Sequence, residues 1–295
     1  MNQQVGASQS SSVDGPRYLI PENEYDYGHP EVVFWTNYFM NEAQKLNVFA
    51  NIKATIESKR SRLAAETMAN AWYDFSCYVP VFITKAVAQT DDPERQHHLI
   101  QIAYDELGGR DKSLIHSKLF LDAIAGIGIS VSARPSGASV KDVLRVLDQI
   151  LVGTKGQYGI VGLLLSFEII AQENIETVYD CLSYNDASRE SLSATPFFKI
   201  HRADETEHIR HSIANFLRFC KTEAQREEFR KSFDDGLYFW HRFWDQCARM
   251  INVAASLSPR APEGKKISLH AAEQDSHRYA AAEVRGVDGL IASKG

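Results

Sequence analysis

The longest near-continuous apolar run of the chain, Gly159 to Ala171, has a glutamate in it, Glu168. The run is shorter than the roughly 18 residues needed to span a bilayer, so it has to be buried in protein. At helical spacing Glu168 is surrounded by Val161, Leu164, Leu165 and Ala171, with Gln172 as the polar neighbour on that face. Taking an ionised carboxylate out of water costs on the order of several kcal/mol unless it is paired or ligates a metal. Any fold for this chain therefore has to bring a compensating group to Glu168, either an Arg or Lys from another helix or a metal ion.

Helical periodicity accounts for most of the remaining chain. Ser139 to Val152 places Val140, Val143, Leu144, Leu147, Ile150 and Leu151 three and four apart. Helical signal begins after Pro30, and a long segment from Ser61 to Gln89 is dense in Ala and aromatics, with Pro80 expected to kink or divide it. Asp92-Pro93-Glu94 is a helix start, and that helix is expected to end at Gly108 and Gly109. Asp111 or Ser113 can cap the next one, and single helices are expected over 159–182, 196–221 and 224–255. No run reads as a strand. The expectation is an all-α, single-domain helical bundle of about seven to nine helices over residues 17–258. Residues 1–16, rich in Gln and Ser, read as a disordered tail, and 259–295 as a flexible or weakly helical extension.

The net charge of −6, with Lys and Arg scattered rather than blocked, gives no reason to expect nucleic acid or a membrane surface as partner. Cys77, Cys181, Cys220 and Cys247 lie far apart with no C-x-x-C pair, and the N-terminus has no charged start followed by an apolar core. Both features fit a reducing cytoplasm.

Other polar residues join Glu168 on inward faces. Leu99, Ile102 and Ala103 precede Glu106 on its face, whereas Asp105 shares one with His98 and Gln101, so Glu106 is expected inward and Asp105 outward. His116 is followed at helical spacing by Leu119, Phe120 and Ala123. In the stretch His201 to His208, about 100° per residue puts His201, Glu205 and His208 on one stripe. Each has an ordinary reading, as a salt-bridged Glu, a hydrogen-bonded core His or a solvated charged face. As a set, inward carboxylates and imidazoles on separate helices suit a pair of iron or manganese ions in a bundle core. A straight helix would hold Glu106 and His116 about 15 Å apart. The Gly108-Gly109 break lets the second segment restart beside the first.

Together these residues resemble the haem-oxygenase-like diiron oxidases and oxygenases, which share their helical fold with haem oxygenase and thiaminase II. The pattern is a Glu, a His after a short interruption, a lone Glu on the next core helix, then His-x3-Asp/Glu-x2-His. The resemblance implies a haem-oxygenase-like bundle with Glu106, His116, Glu168, His201, Glu205 and His208 as metal ligands. It implies two Fe(II) ions, with manganese as the alternative metal, and O2 as cosubstrate. The implied reaction is oxidation of a small molecule, an amine or amino-acid-like compound, by N-oxygenation or oxidative C–C cleavage in specialised-metabolite biosynthesis. A homodimer and an external electron donor are compatible with it. Where the family commonly has Asp between the last two histidines, this chain has Glu205 with Asp204 beside it, and the choice between them stays open.

Three other functions compete. A fatty-acid decarboxylase of the same diiron fold is one. A metal-free hydrolase in the thiaminase II manner would need a nucleophile such as Cys77 or Cys181. A non-catalytic interaction module would display Trp35, Trp240 and Trp244 on a partner surface. For a substrate carboxylate the candidates are Arg110, Lys118, Lys199 and Arg202, each with a reading as a solvated helix charge, and Tyr104 and Tyr158 are candidate pocket walls.

Overall fold

Every regular element among the described residues of the computed structural model is helical. These residues are 28–131, 139–154, 156–202 and 206–257, and for 206–208 and 211 the helix but not the side chain is described. Twelve α-helices follow one another: α1 Pro30–Leu46, α2 Ala50–Lys59, α3 Arg62–Ala88, α4 Pro93–Glu106, α5 His116–Ala125 and α6 Lys141–Gly153, then α7 Gly156–Ile169, α8 Ala171–Leu182, α9 Asp186–Ser193, α10 Pro196–His201, α11 Thr206–Phe219 and α12 Glu223–Leu257. A 3-10 turn, Lys112–Leu114, lies between α4 and α5. Up to Ser256 they belong to one compact unit, Met1–Ser256; of the second, Leu257–Gly295, only Leu257, the last residue of α12, is described. The boundaries expected near residues 16 and 258 lie outside the described residues.

The helix count exceeds the expected seven to nine because apolar periodicity continues across breaks that only backbone geometry reveals. The single helix expected over 159–182 breaks at Ile170 (φ −113°, ψ 10°), and that over 196–221 breaks after His201, at Arg202 (φ −101°, ψ 1°). Asn47, at φ 44°, turns the chain between α1 and α2. The short, polar α9 is set by a capping box between Asn185 and Ser188 rather than by an apolar stripe. Conversely, α3 runs through Pro80 without dividing.

α3 packs against α4, α5, α6 and α8, and α7 against α1, α8 and α11. Aromatic rings fill the interior between α3 and α12, with Trp72 stacked on Trp244 and Phe75 against Trp240 and Phe243. Trp240 and Trp244 are 1% and 0% exposed, which removes them from the partner surface of the interaction-module reading. α7 reaches α12 closely because Gly162 faces the Phe229 backbone and Gly236 faces Ser166; a Cβ on either would overlap its neighbour. Among the described residues no helix is long and apolar enough to cross a membrane.

Candidate metal centre

Pro93 in the first turn of α4 and a 3.0 Å hydrogen bond from the Arg95 amide to the Asp92 carboxylate start this helix where the sequence signal lies. The turn beyond its other end is made by Gly108 and Gly109, at φ 83° and 58°, where L side chains are strained. A Cβ at Gly108 would overlap the Asp111 carbonyl oxygen and lie 2.7 Å from the Ile115 amide nitrogen. Asp111 caps the 3-10 turn, accepting from the Ser113 amide at 2.8 Å, and α5 starts only at His116 with no side-chain cap.

This reversal sets His116 beside Glu106. Nδ1 of the imidazole lies 3.0 Å from Oε2 of the carboxylate, and both side chains are 24% exposed. Burial alone would push the His116 pKa down; the Glu106 hydrogen bond and the charges of Glu106 and Asp105 outweigh it and hold the pKa above its ordinary value. Asp105, expected to face outward, is instead half-buried, and burial pushes its carboxyl pKa up against the pull of His116.

α10 supplies His201. Phe197 and Phe198, 2% and 1% exposed, anchor this short helix. The His201 Nδ1 lies 2.7 Å from the Phe197 carbonyl oxygen. A carbonyl only accepts, so Nδ1 carries the proton, the tether that a metal-binding imidazole makes with its second nitrogen. The His201 ring meets the His116 ring edge to face, centroids 4.7 Å apart.

The expectation of one stripe for His201, Glu205 and His208 is corrected by the break after His201: His201 closes α10, whereas His208 belongs to α11. Glu205 and its alternative Asp204 lie outside the described residues, as does the His208 side chain. Among the described residues no three His, Cys, Asp or Glu side chains converge as a metal site. What is gathered is Glu106, His116 and His201, in two adjoining pairs.

Glu168, half-buried near the end of α7, lines a cavity of about 470 Å³ between α4, α7 and α11. Leu99 and Ile102 from α4 and Ile160, Leu164 and Leu165 from α7 make its apolar walls. Ile102 lies one turn before Glu106, and Ser212, also at the cavity, one turn after His208. Glu106, Glu168 and His208 therefore belong to the three helices that bound one cavity. Oxygen and imidazole donors with one imidazole already tethered fit iron or manganese.

Sequence pattern does not single out Arg95. It is 6% exposed, lines the cavity, and holds its guanidinium 4.7 Å from the rings of both Tyr158 and Phe219. The available signal was its place on the inward stripe of α4 with Leu99, Ile102 and Glu106. Arg110, Lys118 and Lys199 are exposed, and Arg202 pairs with Glu176 at 2.7 Å. Of the two tyrosines, Tyr104 is 44% exposed while Tyr158 packs on Arg95. Among the cysteines, burial pushes the Cys181 thiol up to about 12, far from a nucleophile at neutral pH, and Cys77 is exposed on α3.

The fold is similar to solved structures. A CADD-like protein of unknown function from Nostoc punctiforme superposes with a TM-score of 0.59 at 13% identity, over 75% of this chain and 97% of that one. A domain of unknown function with a haem oxygenase-like fold from Shewanella denitrificans superposes with a TM-score of 0.51 at 16% identity, over 80% and 95% of the two chains. These likenesses establish a haem oxygenase-like fold. No curated protein matches the chain. The model of the iron-containing redox enzyme family matches residues 67–241, more than half of the chain and the whole stretch that carries the six candidate ligands, and the chain belongs to that family.

Proposed function

We propose that this protein is a non-haem diiron enzyme that uses O2 to oxidise a small organic molecule. The carrying observation is that Glu106 pairs with His116 and His116 meets His201, whose Nδ1 is tethered to the Phe197 carbonyl. Glu106, His116, Glu168, His201 and His208, with Glu205 or Asp204, would hold the metal, iron before manganese. Bound iron would supply the reduction of O2 and the oxidising power that no amino-acid side chain has.

The chain's own residues have definable tasks. The Phe197 carbonyl keeps the His201 ring turned and its tautomer set, and Glu106 holds the His116 ring from one side. The apolar walls from α4 and α7 keep water from a substrate in the cavity and turn its reacting end toward Glu168. An amine or amino-acid-like substrate, oxidised at nitrogen or by C–C cleavage, suits such a site. Placing one atom of O2 into it requires two further electrons from an external donor. The hydrolase alternative loses Cys181 to the burial described above.

The test is anaerobic loading with Fe(II), iron analysis, and rapid mixing with O2 while recording the visible spectrum. About two irons per chain, a transient absorption, and loss of both on Glu168→Ala are expected. A folded wild-type protein that takes up no iron sinks the proposal.

A further inference from the structure

Arg95 is a charged side chain in the interior without an ion pair among the described residues. Its Nε and Nη1 are buried and have no hydrogen-bond partner. The nearby carboxylates are engaged elsewhere: Glu94 lies 4.0 Å from Arg218 at the cavity rim, and Glu228 accepts from the Gly159 amide at 3.0 Å. Tyr158 and Phe219 flank the guanidinium, each at 4.7 Å, which stabilises the cation through the ring faces but satisfies none of its N–H donors. A buried cation left in this state is costly unless a ligand completes it.

The three cavity helices agree on where this cation lies relative to the candidate ligands. Along α4, Arg95 precedes Glu106 on the same stripe by about 16 Å of helix rise. Along α7, Tyr158 precedes Glu168 by about 15 Å. Along α11, which runs the other way, Phe219 follows His208 by about 16 Å. The cavity therefore has a cationic end at Arg95, an apolar middle of Leu99, Ile102, Leu164 and Leu165, and a carboxylate end at Glu168.

We propose that Arg95 is the anchor for the carboxylate of an elongated substrate, an organic acid with an apolar body whose reacting group lies at the end remote from its carboxylate. A guanidinium held between two rings presents its N–H edge in a plane, the geometry that a carboxylate meets with two parallel hydrogen bonds. The identity of the reacting end rests on the proposed diiron site; binding of the acid does not. Arg95 touches substrate in this proposal without taking part in the oxidation.

The test uses the full-length, metal-free protein, with the straight-chain acids from butanoate to dodecanoate and their primary amides as probes, followed by calorimetry and thermal unfolding. One or more of the longer acids should bind and raise the unfolding temperature, with the matching amide weaker by about tenfold or more. Arg95→Gln should abolish that preference, so that the acid binds no better than its amide. Leu164→Trp, which fills the middle of the cavity, should weaken the acid. Acids and amides that behave alike on the wild-type protein overturn the proposal whether or not Arg95→Gln folds, and so does a preference for the acid that survives Arg95→Gln or acid binding that Leu164→Trp leaves undiminished. Iron uptake is measured on the same preparations. A wild-type protein that binds acid but no iron overturns the diiron reading alone, and one that binds iron but does not prefer acids overturns this one alone.

Discussion

Phe167 and Glu168 are consecutive residues of α7 that serve two different interiors. Phe167 stacks on Phe75, Phe82 and Phe239, with centroids 5.5 to 6.3 Å apart, in the aromatic core shared with α3 and α12. Glu168, about 100° further round the helix, opens on the cavity bounded by α4 and α11. On the aromatic side the rings pack against one another and are largely buried, and stability is the product. On the cavity side Arg95, Glu168 and the apolar walls of α4 and α7 line about 470 Å³ that a ligand can fill. One helix can face both ways because Gly162 and Ser166 let it sit against α12 at backbone distance.

If the two sides are separable, substitutions should divide cleanly between them. The largest effect belongs to the cavity side: Glu168→Ala should reduce iron from about two per chain to one or fewer. It should also lower activity by more than the roughly 10–100-fold typical of changes around a metal's ligands. Its change in unfolding free energy should stay within about 1 kcal/mol. Iron analysis and denaturant unfolding on one preparation check both halves, and a globally unfolded variant would break the comparison.

On the aromatic side, Phe239→Ala removes a ring that is 0% exposed and should cost about 3–5 kcal/mol in denaturant unfolding. Folded Phe239→Ala protein should still load iron as wild type does; a proportional loss of iron would mean that the core positions the ligands. Gly162→Ala pushes a methyl group onto the Phe229 carbonyl and should cost about 1–3 kcal/mol. Because it separates α7 from α12, this substitution should also weaken iron binding, which Phe239→Ala should not.

The smallest effects concern the thiols. Near pH 8 an alkylating reagent should modify the exposed Cys77 and spare Cys181, Cys220 and Cys247, with iron content unchanged, as peptide mapping would show. Burial holds Cys181 and Cys220 up to about 12 against an ordinary 9.0, so the unfolded chain releases these protons first. Their contribution to stability is complete below pH 9 and is lost as pH rises toward 12, readable as a falling denaturant midpoint.

Where local chemistry is decisive, the sequence was enough. Asp92-Pro93 starts α4, the three-four pattern of Val143, Leu144, Leu147 and Leu151 builds α6, and the Gly108-Gly109 pair announced the reversal that brings Glu106 to His116. The resemblance carried by the ordered Glu and His positions led to the family that residues 67–241 match. The breaks at Ile170 and Arg202 were not legible, since neither carries a Gly or Pro and apolar spacing continues past both. Arg95 shows the limit best. In the chain it is one more charge in the first turn of a helix, beside Pro93 and Glu94. Its burial is decided by Tyr158 and Phe219, which come from helices more than sixty and a hundred residues later. A helix sequence determines which residues share a face; only the packing of distant helices determines whether that face closes on rings, on water or on a cavity.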